Sequence, residues 1–114
     1  MTLILYGIPN CDTVRKARAD LDARAHPYRF HNFKTEGVTE DDLKRWIAAH
    51  GWEKVLNRSG LSFRKLPDAD KANLDAAKAI ALMLANPSMI KRPVLEREGG
   101  ESLIGYRPGA YDDL

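Results

Sequence analysis

The opening of the chain constrains its fold more than any other stretch. The apolar run LILYG places a short buried strand over Leu3–Tyr6. A turn, IPN, follows, and from Cys11 onward Val14, Ala17, Leu21 and Ala25 recur at helical spacing. Asn10 is a suitable N-cap for that helix, and the His26–Pro27 step ends it, because the residue before a proline avoids helical backbone. YRFHNF then alternates Tyr28 and Phe30 against Arg29 and His31, the period of a second strand. Strand, helix, strand in so few residues predicts a parallel pair joined by a right-handed crossover.

The remainder is predicted from the same periodicities. Thr39 caps a helix that carries Leu43, Trp46, Ile47 and His50 on one face, and Gly51 stops it. WEKVL adds a further turn, and NRSGLSFRKL reads as a loop with some local structure. A second helix is expected from about Asn73 to Ala85, with Leu74, Ala77, Ala81 and Leu84 inward and Pro87 closing it. RPVLEREGGESLIGY reads as two strands around a Gly99–Gly100 hairpin, and RPGAYDDL as a short terminal turn or helix. A β-α-β unit followed by a β-β-α unit is the thioredoxin-like arrangement. The prediction is thus an α/β chain with a four-stranded mixed sheet flanked by helices. One domain spans residues 1–114, with a helical subdomain inserted over about 38–86.

Size and composition narrow the function. At 114 residues the chain can build one real core, and 44% hydrophobic with 30% charged residues is ordinary for a soluble protein. The longest apolar run, AIALMLA, is far short of the roughly 20 residues a membrane span needs. MTLILYG has no basic leader or cleavage site, so a cytoplasmic location is expected. A net charge of +2 gives no argument for direct nucleic-acid binding. No element is strongly apolar on two faces, which predicts a monomer. His26, His31 and His50 form no metal-ligand pattern, and no phosphate-binding or serine-triad motif is present. No bound metal or resident cofactor is expected.

Cys11 is the one cysteine, so an internal disulfide is impossible. The first turn of a helix offers unpaired N–H groups and the positive end of the helix dipole, both of which favour thiolate. Asp12 opposes ionisation from next door. Position alone leaves two readings open: a reactive nucleophile, or a packed structural cysteine at a turn. Arg92 bears on the choice, because it precedes Pro93. In thioredoxin-like folds a cis-proline opens the third strand and faces the start of the first helix; if Pro93 is that residue, Arg92 lies beside Cys11. Arg58 and Arg107 are further candidates for holding an anion, since guanidinium forks suit carboxylates and oxyanions.

Taken together, LYGIPNCDTVRKA, LNRSGLSFRKL, MLANPSMIKRPVL and LIGYRP resemble the ArsC/Spx family, and within it the small YffB-like proteins. The resemblance spans nearly the whole chain. It implies a thioredoxin-like fold with a helical insertion, with Cys11 as catalytic nucleophile. It also implies an anion- or glutathione-binding set of Asn10, Arg58, Arg92, Pro93 and Arg107, with Arg64 competing for the place of Arg58. The function it implies is a glutathione-dependent thiol–disulfide oxidoreductase, with glutathione as co-substrate and glutaredoxin as a partner. Two alternatives follow from the same resemblance: an arsenate reductase using glutathione and glutaredoxin, or a Spx-like regulator that binds RNA polymerase without catalysis. Two departures are notable. Family reductases carry a histidine, in an HNPxCxxS pattern, where this chain has Gly7. Many Spx-type regulators carry a second cysteine where this chain has Val14.

Overall fold

The computed structural model describes residues 2–114. Its elements run β1 (Leu3–Gly7), α1 (Asp12–Ala23), β2 (Tyr28–Asn32), α2 (Phe33–Glu36), α3 (Glu40–His50), α4 (Trp52–Val55), α5 (Leu61–Arg64), α6 (Asp68–Lys71), α7 (Ala76–Ala85), a 3-10 turn (Pro87–Met89), β3 (Val94–Glu96) and β4 (Ser102–Ile104). The chain divides into two compact units, residues up to 36 together with 92–114, and residues 37–91.

The first unit holds the sheet, in the order β2-β1-β3-β4. β1 pairs parallel with β2 and antiparallel with β3, and β3 pairs antiparallel with β4. This is the four-stranded mixed sheet of the thioredoxin-like class. Register explains its core. Leu3 and Leu5 stand beside Tyr28 and Phe30 on one side and Leu95 on the other, so these residues share a face. That face packs with Ala17 and Leu21 of α1 and with Tyr111 from the C-terminal turns. Tyr111 is fully buried, and its burial pushes the phenol well above its ordinary pKa. On the opposite face Tyr6 donates to the buried Glu96 carboxylate at 3.1 Å and stands 4.7 Å, ring to ring, from its β2 neighbour His31.

The helix start differs by one residue from the sequence expectation. Asn10 is exposed and outside the helix, and Cys11 is the N-cap. Cys11 has extended dihedrals (φ −101°, ψ 125°), and its carbonyl accepts the first helical bond, from the Arg15 amide at 2.9 Å. The helix ends before the His26–Pro27 step. Ala25 takes the left-handed conformation (φ 57°), its amide donates to Asp22 O, and the His26 amide reaches back to Leu21 O. These two bonds form the closing motif that glycine usually supplies. Beyond it, Arg24 bridges Asp20 and Asp112, and Tyr106 donates to Asp20, which ties the C-terminal turns to α1.

In the second unit the Thr39 cap is present, as a capping box with Asp42, and Gly51 ends α3 with φ 85°. Leu43 and Trp46 are fully buried, whereas Ile47 and His50 are only partly so. The later helix starts at Ala76 with Asp75 as its cap. Its inward face is Ala79 and Met83, while Ala77, Ala81 and Leu84 are exposed. AAKAIALMLA is apolar almost all round, contrary to the expectation that no element is apolar on two faces, so its periodicity carries too little contrast to select a face. The segment after α4 is pinned by the Leu56–Ile90 bridge and by two backbone bonds, Asn57 N–H to Met89 O at 2.7 Å and Lys91 N–H to Val55 O at 2.8 Å.

Ala25→Gly should stabilise the protein, because alanine in the left-handed region is strained and glycine is not. A gain of about 0.5–1 kcal/mol is expected. A higher denaturant midpoint with an unchanged slope would record it; a lower midpoint would contradict this account of the helix end.

Candidate active site

β1 and α1 together fix the thiol. The strand ends at Gly7, Ile8 is buried, and the Cys11 amide donates to Ile8 O at 3.3 Å, closing the turn. As N-cap, Cys11 places its side chain where serine or aspartate would accept from the second and third helical amides. Those amides belong to Thr13 and Val14. The neutral thiol makes no capping bond of ordinary geometry. Once ionised, the sulfur has both amides as donors.

The balance of forces favours the thiolate. Burial pushes the Cys11 pKa up, and the Val14 amide, the Arg92 guanidinium and the Thr13 amide together outweigh it. The net position is below that of an ordinary cysteine. Arg92 acts both as hydrogen-bond donor and as charge. Asp12 does not oppose this as its sequence position suggests: it is exposed and paired with Arg15 at 2.6 Å. The thiol itself is partly exposed, as a nucleophile must be.

The Arg92–Pro93 peptide bond is cis, Pro93 is buried at the entry to β3, and its carbonyl accepts from the Gly105 amide at 2.8 Å. Arg92 and Pro93 therefore belong to the same unit as Cys11, and the Arg92 guanidinium is among the groups that favour the ionised sulfur. The other candidates stand differently. Arg107 is exposed in the turns after β4, and is not among the groups acting on the thiol. Asn10 is exposed at the turn, beside the cap and not as the cap. Arg58 and Arg64 lie in the second unit. Arg58 stands over the Trp52 ring at 5.5 Å, and it lines an open cleft of about 350 Å³ with Lys54, Asn57, Ser59 and Lys91. Arg64 ends α5, and its carbonyl accepts from Lys71 at 2.7 Å. Among the described residues, no group of three or more His, Cys, Asp or Glu could hold a metal ion, and no helix is long and apolar enough to cross a membrane.

The sequence profile of the ArsC family matches residues 6–114, from the end of β1 through the last turn. The chain belongs to the ArsC family. The YFFB (PA3664) protein, a solved structure, is 57% identical with a TM-score of 0.91 over 96% of this chain and 95% of that one. An arsenate reductase (ArsC) related protein from Brucella melitensis is 48% identical with a TM-score of 0.80, covering 100% of this chain and 97% of that one. The global transcriptional regulator Spx of Streptococcus mutans is 31% identical over 93 residues, which are 80% of this chain and 67% of Spx. Relatives of this ArsC-family chain thus include both reductase-like and regulator proteins.

The Thr13 and Val14 amides are the parts of the site that residue identity does not reveal. Counting two and three positions on from the cap would have found them, had the cap been set at Cys11.

Removing Arg92 should raise the Cys11 pKa, because a hydrogen-bond donor and a charge that favour the thiolate are lost together. The pH dependence of alkylation in Arg92→Ala would show it, and an unmoved profile would exclude the contact. The same depression has a stability consequence. Because the folded thiol ionises at lower pH than the unfolded one, the unfolded chain binds more protons between the two pKa values. Stability relative to Cys11→Ser should therefore increase with pH across that window, level off above the unfolded value of about 8.5, and be lost as pH falls through the folded value.

Proposed function

We propose that this protein is a glutathione-dependent thiol–disulfide oxidoreductase with Cys11 as its nucleophile. The observation that carries this reading is Cys11 at the cap of α1, partly exposed, in the same unit as the cis Arg92–Pro93 step, with two backbone amides and the Arg92 guanidinium favouring its ionised form. In the first step the Cys11 thiolate bonds to one sulfur of a disulfide, the S–S bond breaks, and the departing sulfur leaves as a thiolate that takes a proton from water. In the second, a glutathione thiolate attacks the substrate sulfur of the mixed disulfide. The Cys11–sulfur bond breaks, Cys11 leaves as thiolate, and a glutathione–substrate disulfide is released. Net, one disulfide and one glutathione give one thiol and one new disulfide, which a second glutathione or a glutaredoxin reduces.

Arg92 stabilises Cys11 as attacking and as leaving group, since both are thiolates. Its remaining donors suit a glutathione carboxylate. Arg107, Asn10 and Pro93 belong to the same unit and complete the candidate glutathione surface. A glutathione pool implies a reducing compartment, consistent with the cytoplasm.

The Spx relatives favour a second reading, a regulator that docks on RNA polymerase and uses no thiol chemistry.

Three assays separate these readings. Glutathione-dependent reduction of a small mixed disulfide should fall at least a hundredfold in Cys11→Ser, roughly the loss expected when a nucleophile is removed. Activity intact in that variant sinks the oxidoreductase reading. Arsenate turnover with glutathione and glutaredoxin would instead identify the reductase alternative. Retention of purified polymerase by both wild type and Cys11→Ser, with neither activity present, would establish the regulator.

A further inference from the structure

Gly7 is glycine for reasons of space. Its backbone is not among those with positive φ, and it pairs with Asn32 as an ordinary strand residue. Strands disfavour glycine. Yet a β-carbon on Gly7 would lie 2.8 Å from Cγ2 and 3.2 Å from Cγ1 of Val14. Carbon atoms pack at about 3.5–4.0 Å, so neither residue accommodates the extra atom where it stands. Val14 is fully buried, and its neighbours on the same helix stripe, Ala17 and Leu21, are fully buried too. A β-branched side chain is also stiff at χ1, so it does not turn aside readily.

Val14 has a second task. Its amide is the foremost of the groups that favour an ionised Cys11. One residue therefore has its side chain set against the end of β1 and its N–H at the third helical position, among the groups that favour the ionised sulfur. The link between the two is short. Only Ile8, Pro9 and Asn10 separate Gly7 from Cys11, and the Cys11 amide is tied to Ile8 O at 3.3 Å. A displacement of Val14 away from β1 has no slack loop to absorb it, and moves the donor relative to the acceptor. Hydrogen bonds weaken steeply with misalignment.

We propose that the contact between Gly7 and Val14 holds the first-turn amides of α1 in register with Sγ of Cys11, so that Gly7 and Val14 are positioning residues for the thiol chemistry. The inference rests on the thiolate reading of Cys11. It also couples the two positions: a side chain at residue 7 requires a smaller one at residue 14.

The test is the rate of iodoacetamide alkylation of Cys11 against pH, with thermal stability measured alongside, in wild type, Gly7→Ala and Gly7→Ala/Val14→Ala. Gly7→Ala should raise the alkylation pKa by about one unit, a roughly tenfold loss of thiolate below that pKa. Val14→Ala deletes the two obstructing methyl carbons, so the double variant should recover to within about threefold of wild type below the pKa, a shift of about half a unit. Gly7→Ala that melts lower but titrates as wild type would overturn the proposal, leaving glycine a merely structural choice. A double variant displaced as far as the single would overturn it as well. If Gly7→Ala does not fold, the double variant decides alone: a low pKa supports the coupling and a raised one refutes it. A wild-type thiol that titrates like free cysteine would fail differently, removing the oxidoreductase reading itself and the positioning role with it.

Discussion

The apolar stripe of α1, Val14, Ala17 and Leu21, buried on the β1 side of the sheet, is the packing on which the first unit depends. A parallel β1–β2 pair requires a crossover, and α1 is that crossover. Once its stripe is seated on Leu3, Leu5 and Leu95, the start of α1 lies at the end of β1. The position of Cys11 is then a consequence of core packing. Burying such a stripe is worth about 1.5–3 kcal/mol per large aliphatic side chain, so Val14 and Leu21 together outweigh any single hydrogen bond to the thiolate, worth about 1.5–3 kcal/mol. The chemistry is carried by a few directional interactions held in place by the summed burial of the stripe.

Much of this was legible in the sequence, and the parts that were not have physical reasons. The strand–helix–strand opening shows because its two periods differ and each is bounded by turn residues. Arg92 was found through its proline: a residue with special backbone geometry marks the position of its neighbour. The cap was misplaced by one because asparagine carries a capping oxygen and cysteine does not, whereas the outcome was decided by the backbone, which turns helical only after Cys11. The inward face of α7 was misread because nearly every residue there is apolar. The four-residue helices α2, α5 and α6 are too short for any period to register. Gly7 and Val14 were read as departures from a family pattern. That they touch is a fact of three dimensions, visible only once the strand and helix are docked.

The two units divide the candidate arginines. Arg92 and Arg107 are carried by the segment that returns to the sheet, Arg58 by the turn between α4 and α5, and Arg64 by α5. Arg92 follows directly on the last residue of the insertion, Lys91, whose amide is still bonded to Val55. The side chain that favours the ionised thiol thus belongs to the first residue of the returning segment.

The donors that favour an ionised Cys11 are, apart from Arg92, backbone amides. An amide has no side chain to remove. Alanine scanning through Asp12 and Thr13 would leave every N–H in place, and would score this turn as unimportant however much it contributes. Only a residue that lacks the N–H, proline, deletes such a donor. The reactivity of this cysteine is thus written largely in the course of the main chain, where a catalogue of side chains does not record it.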